Sequence, residues 1–342
     1  MTPSRTVLTT GAIAASAALV LSGCGSGASG AESGELSVVT STNVYADIVS
    51  QIAGDFAEVT AVIDDPNQDP HSYEATTQDR LKLSKADLVV ENGGGYDAFM
   101  TTMLEASGAE IDTIDTVSIS GLPGSDDLGN EPHDHDHGEG DEHHHGDDEA
   151  YAGGHTHDDD SHDHGDFNEH LWYSVPTMTK LVDEVATHLG ESLPEHKDEF
   201  QSNAKDYKAE LDELQGQIET VKDDHGGEKV AATERVPLWL FADMGLENIT
   251  SDDFLAAVEE GNDVPPMVLK EAEKQISDGE AVLLGYNTQA AGPQAEQLKS
   301  TAEKSEVPII DLAETMPADE DYIDWMGGYI TDISTALEGH KH

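Results

Sequence analysis

Residues 194–223 read PEHKDEFQSNAKDYKAELDELQGQIETVKD. Apolar side chains fall at Phe200, Ala204, Tyr207, Leu211, Leu214, Ile218 and Val221, at alternating steps of four and three. That spacing lays one unbroken stripe along an α-helix, because each step comes close to a full turn. Pro194 suits a first helical turn, and His225-Gly226-Gly227 closes the pattern. At about 1.5 Å per residue the helix reaches roughly 45 Å, enough to run the length of two packed domains.

The sequence on either side supplies two such domains. Before the helix, short apolar runs at 36–40, 59–63 and 87–91 read as strands, with helical patterns at 43–53, 78–85 and 97–105. In the first helix Val44, Ile48 and Ile52 recur every four residues. After it, strands at 229–232, 281–285 and 307–311 alternate with helices at 236–244 and 294–304, and a helix at 322–337 closes the chain. Strands alternating with helices argue for parallel sheets. The expected fold is α/β: two parallel-sheet α/β lobes joined by a long rigid α-helix, with the ligand cleft between the lobes. Ligands of open α/β sheets sit beyond the carboxyl ends of the strands. The expected boundaries are 36–192 for the first lobe, 193–224 for the linking helix and 225–342 for the second lobe.

The N-terminal residues read as an export signal. Arg5 is the only charged side chain before Cys24, and residues 6–22 are uncharged and mostly small or apolar. That run is short for a membrane span and has the shape of a signal peptide's apolar region. It ends in Leu21-Ser22-Gly23-Cys24, which looks like a bacterial lipobox. Residues 1–23 are then a lipoprotein signal peptide, Cys24 the lipidation site, and residues 24–35 a flexible tether holding the chain to the outer face of a cell membrane. Cys24 is the single cysteine, so no internal disulfide is possible.

The 342 residues carry 71 acidic against 16 basic side chains, a net charge of −55. Nucleic acid is excluded as a partner, because phosphate binding needs a basic face. Only 15 of the acids lie between Glu131 and His170, so the acidity is global and fits a salty exterior. Residues 132–166 cannot be core. They hold almost no large apolar residue and no Lys or Arg, and they repeat a His-Asp alphabet, which reads as a disordered loop within the first lobe. Ten histidines lie there: His133, His135, His137, His143, His144, His145, His155, His157, His162 and His164. Clustered imidazoles bind zinc weakly at many sites and manganese hardly at all, so the loop reads as an auxiliary metal collector. His340 and His342 fall in a tail.

Four segments carry candidate metal ligands. Asp69-Pro70-His71 follows the second strand and presents His71 on a loop. Asn168-Glu169-His170-Leu171-Trp172 resumes ordered sequence after the acidic loop. Glu234 leaves the strand at 229–232, facing either the cleft or its neighbour Arg235 in a salt bridge. Asp311 and Glu314 follow the last strand, and either could face inward.

These motifs carry a resemblance. DPHSYE around His71, EHLW around His170, AATERVPLWLFADMGL around Glu234 and VPIIDLAETMPADEDYIDWM around Glu314 resemble the zinc- and manganese-binding solute receptors (cluster A-I type) of bacterial metal ATP-binding-cassette importers. The second motif departs from the family's Asp-Pro-His, reading Asn-Glu-His. The resemblance implies a metal cleft between the lobes with His71, His170, Glu234 and Glu314 as ligands, Asp311 remaining the alternative fourth. It also implies a monomeric receptor, not an enzyme, whose partners are a divalent metal ion and the importer's membrane permease. A metal-buffering adhesin is the third class. Glu at the third position favours manganese, since carboxylates suit the harder ion, whereas the histidine loop favours zinc. Zinc is the expected cargo, with manganese as the alternative.

Overall fold

The computed structural model describes residues 36–66, 68, 70, 73–128 and 167–339. The export signal, Cys24, the tether, His71, the ten-histidine loop 132–166, His340 and His342 lie outside the described residues.

The first lobe is built on β1 (Leu36–Thr42), β2 (Ala57–Ile63), β3 (Leu88–Glu91) and β4 (Asp112–Asp115), all parallel in the order β2-β1-β3-β4. The second uses β5 (Lys229–Ala232), β6 (Glu247–Asn248), β7 (Leu284–Asn287) and β8 (Ile309–Leu312), parallel in the order β6-β5-β7-β8. The two lobes therefore share one topology. In each, the chain leaves the first strand to one side and returns on the other, which opens a crevice at the carboxyl ends of the two central strands. Those strands are β1 and β3 in the first lobe, and β5 and β7 in the second.

The long helix spans Lys197–His225, after a 3-10 turn at Pro194–His196. Its 29 residues give a length of about 44 Å. All seven stripe residues, Phe200 through Val221, are buried. Asp198 and Glu199 in the first turn, and Lys222 and His225 in the last, oppose the helix dipole. Phe200 packs edge-on to Phe56, and Asn203 Nδ2 donates to Ile52 O, so the first half of this spine grips the first lobe. At the other end Gly245 lies against Lys222, and Gly327 sits against Leu214, so the second half grips the second lobe.

A second helix, Val175–Ser192, precedes the spine, and the sequence reading assigns no element there. Its buried Val175, Met178, Leu181, Val182, Val185 and Leu189 form a stripe of their own. Gly190 meets Lys197 and Asp183 pairs with Lys208, so the helix runs antiparallel to the spine as a hairpin. One apolar cluster runs from Val38 and Ile48 through Leu211 and Leu214 to Val230, Leu240, Trp325 and Ile330. At roughly 1.5–3 kcal/mol for each large side chain buried, this shared core binds both lobes to the spine. Hydrogen bonds cross between lobes as well, a buried one from Tyr322 Oη to Trp172 O at 2.7 Å and a partly buried one from Tyr173 Oη to Ala313 O at 2.7 Å. Among the described residues no helix is long and apolar enough to cross a membrane.

At the carboxyl end of the first sheet the polar groups are buried. Three glycines, Gly93, Gly94 and Gly95, follow β3 with φ of 79°, 66° and 97°. A Cβ on Gly93 would sit 2.3 Å from Asp115 Oδ1, so both the conformation and the space require glycine there. The loop wraps Asp97, whose carboxylate accepts the N–H groups of Asn92 at 2.6 Å and Gly93 at 2.9 Å. Glu91 lies beside it, and burial, then the charges of Asp97 and Asp115, push its carboxyl up to about 8. Burial raises Asp97 too, to about 6, although its backbone donors favour the anion, so the pair holds on to a proton near neutral pH. A carboxyl raised on folding makes the native state bind more protons than the unfolded chain, so stability falls as pH rises. The loss runs from about 4.3, where the unfolded group ionises, to about 8. Glu91→Gln removes that contribution. Thermal melts of the variant should fall less steeply than wild type between pH 5 and pH 8, and equal slopes would contradict a protonated Glu91.

Candidate metal centre

His170 caps a 3-10 turn, Leu171–Tyr173, that leads into the helix Val175–Ser192. It therefore sits on a loop against the first lobe. Asn92, just beyond β3, anchors the segment by donating from Nδ2 to Glu169 O at 3.0 Å. The imidazole is fully buried, edge-on to Trp172 and Tyr96. Its Nδ1 lies 2.8 Å from Asn168 Oδ1, which can only accept, so Nδ1 donates to it. Asn168 also ties the lobes together: its Nδ2 donates to Arg235 O at 3.0 Å, and its carbonyl accepts from Trp239 Nε1 at 2.8 Å.

Glu234 leaves β5 two residues past its end, and Glu314 leaves β8 in the same way. Both are buried, with 2% and 7% of their surface exposed. His170, Glu234 and Glu314 each offer one ligand atom, and these atoms all lie within 4.8 Å of one another. The cluster thus draws one residue from the first lobe's edge and two from the second sheet. Asn287, the last residue of β7, donates from Nδ2 to Glu314 Oε1 at 2.8 Å and to Glu234 Oε1 in a short bond. One neutral amide thereby spaces two carboxylates that would otherwise repel each other.

The alternatives left open by the sequence separate here. Arg235 Nη1 pairs with Glu259 Oε2 at 3.1 Å, so the salt bridge runs to Glu259 and not to Glu234. Asp311 lies on the exposed side of β8, where Oδ1 meets Lys299 Nζ at 3.0 Å, and it faces away from the cluster. His71 is outside the described residues, but Pro70 lines the same cavity as Glu234 and Glu314. That cavity has a volume of about 490 Å³, and Glu259, Thr288, Gln289 and Gly292 also line it. Burial, then the carboxylates of Glu259, Asp97 and Glu314, push Glu169 up to about 9, so it is neutral at pH 7. When both are ionised, Glu234 and Glu314 together carry the charge that balances a divalent cation.

Sequence reasoning missed Asn168, Asn287 and Gln289. The signal for Asn168 was its place two residues before His170, where the resembling family has Asp. For Asn287 it was a lone amide ending an apolar strand at the crevice.

A scan against protein-family models matches residues 38–336 to the family described as zinc-uptake complex component A, periplasmic. The manganese-binding lipoprotein MntA of Bacillus subtilis is 27% identical over 199 residues, 58% of this chain and 54% of that protein. The zinc-binding lipoprotein AdcA of Streptococcus pneumoniae is 27% identical over 185 residues, 53% of this chain and 32% of that protein. The match spans about half the length of the first of these relatives and a third of the second. The periplasmic zinc binding protein TroA from Treponema pallidum superimposes with a TM-score of 0.66 at 18% identity, covering 89% of this chain and 99% of that one, so the two share a fold. With the match running through both lobes and the spine between them, the chain belongs to the zinc-uptake complex component A family.

Proposed function

We propose that this protein is an extracytoplasmic receptor that binds one divalent transition metal between its lobes. It hands the ion to the membrane permease of an ATP-binding-cassette importer. The convergence of buried His170, Glu234 and Glu314 from distant parts of the chain carries the reading. Two carboxylates balance the ion's charge and an imidazole supplies a borderline donor, a set suited to first-row metals. His71, next to Pro70 in the sequence, is the fourth ligand of this proposal. A tetrahedral zinc with bonds of ~2.0–2.1 Å holds its donors about 3.4 Å apart, a spacing that falls inside the 4.8 Å already spanning the three described donors. The receptor is anchored through a lipid on Cys24, in keeping with the lipoprotein names of MntA and AdcA, and it acts as a monomeric carrier rather than an enzyme.

Zinc is the cargo of this reading, collected by the histidine loop. Manganese is the second reading, favoured by the two carboxylates in the cluster and by relatives named for that metal. The test is competitive titration of metal-stripped protein with zinc and manganese, followed by elemental analysis after dialysis. One tightly held zinc per chain is expected, with manganese displaced by zinc at equal concentration. A chain that retains no stoichiometric metal would overturn the receptor reading, and retention of manganese against zinc would select the second.

A further inference from the structure

Glu314 is held at both ends. Its carboxylate takes a hydrogen bond from Asn287, and its backbone N–H donates to Gln289 Oε1 at 2.5 Å. The same oxygen accepts from Thr315 N at 3.2 Å. The other end of that side-chain amide reaches across the cleft, where Gln289 Nε2 donates to Pro66 O of the first lobe at 2.7 Å and to Thr315 Oγ1 at 2.7 Å. Thr315 Oγ1 closes the triangle by donating to Pro66 O at 2.6 Å. Gln289 is itself aimed by its backbone N–H, which donates to Asn287 Oδ1 at 2.9 Å. One carboxamide thus links the first lobe, the backbone of Glu314 and, through Asn287, both cluster carboxylates.

Its position distinguishes it from the ties made by Tyr322 and Tyr173. The bonds from Tyr322 to Trp172 and from Tyr173 to Ala313 lie within or beside the shared core, and breaking them means disturbing that core. Gln289 is exposed, at the rim of the 490 Å³ cavity. Segments with few buried contacts and solvent-exposed hydrogen bonds open first, at the low end of a protein's stability range. Water, or a docking surface offering its own donors and acceptors, can compete for this amide while the core stays intact.

We propose that Gln289 is a positioning residue, a surface latch that holds Glu314 against the first lobe and so governs how fast bound metal leaves. The proposal rests on the metal-receptor reading above. When the latch opens, the Glu314 backbone loses its anchor to Pro66 and the carboxylate withdraws from the ion. Arrival of metal does not depend on the latch, because Asn287 still spaces Glu234 and Glu314.

Two near-isosteric changes test it. Gln289→Met removes the amide at constant length, and Thr315→Val removes the hydroxyl at constant shape. Zinc-loaded protein is mixed with excess EDTA in a stopped-flow instrument, and release is followed by tryptophan fluorescence. Association is measured separately by mixing zinc with metal-free protein. Each variant should release zinc about tenfold faster, the effect of losing one or two hydrogen bonds. Association should stay within twofold, and the melting temperature of metal-free Gln289→Met should shift by no more than an ordinary surface substitution does, whereas Thr315 is buried and its variant is judged on release and association. The double variant should release little faster than the quicker single one, since both changes open one latch. Release within twofold of wild type in both variants overturns the proposal. So does faster release matched by slower association and a lower melting temperature, which marks a general packing defect. Wild-type protein that takes up no zinc defeats the receptor reading itself, a result distinct from a receptor whose release ignores Gln289.

Discussion

His170→Ala is expected to abolish stoichiometric zinc retention, weakening binding at least about a hundredfold, the upper range for losing even an outer partner of a metal ligand. The imidazole is fully buried and its Nδ1 proton is committed to Asn168, which leaves Nε2 as the ring nitrogen for the ion. Glu314→Gln should weaken binding for a different reason. It leaves one carboxylate against a divalent charge, and it puts an amide beside Asn287 Nδ2, where a carboxylate now accepts. Asp311→Asn serves as the control: Asp311 pairs with Lys299 on the outer face, and its loss should leave the affinity within twofold. Competitive titration reads all three, with thermal melts to show that the variants are folded. Retained affinity in His170→Ala, or an effect of Asp311→Asn equal to that of Glu314→Gln, would move the site elsewhere.

The second large effect concerns stability. Leu211 is fully buried midway along the spine, inside the cluster that both lobes share. Leu211→Ala should cost about 2–5 kcal/mol, from the lost transfer energy and the cavity left behind. Because one of the apolar clusters takes in the spine and parts of both lobes, the protein should unfold in one transition that moves down by several degrees as a unit. Calorimetry decides this. Two resolved transitions, with only one displaced by the substitution, would show that the lobes melt independently and that the spine binds them less tightly than its packing indicates.

The parts of the fold that were legible were those with strong periodicity. The spine stripe is buried at every expected position, and the first helix occupies Asn43–Ala53 as read. Strand β5 likewise falls at Lys229–Ala232. Illegible elements had weak or mixed patterns. Strand β4 is the four residues Asp-Thr-Ile-Asp, with Ile114 as its single buried residue, and β6 is only two residues long. Both are edge strands paired on one side, held by backbone hydrogen bonds that no side-chain pattern announces. The helix Val175–Ser192 carries the right apolar spacing but begins only nine residues after the polar, His- and Asp-rich stretch that ends at Asp166. At the site, His170, Glu234 and Glu314 stood out by residue type and position. Choosing Glu314 over Asp311 required geometry, because strand alternation puts Asp311 outward while the chain turns Glu314 back after β8 ends. Asn287 and Gln289 were invisible for a related reason. Neutral amides carry no ligand signature, and their role exists only through what the fold sets on either side of them.

The single amide of Asn287, wedged between two acids, has a consequence for kinetics. Carboxylates parked at a fixed spacing before the ion arrives need no reorganisation by the polypeptide during capture. The remaining barrier then belongs to the ion, which must strip away its own hydration sphere. A cation slow to shed water should load slowly however firmly it is finally seated, so the pace of uptake would rank metals by their aqueous chemistry while equilibrium ranks them by donor preference.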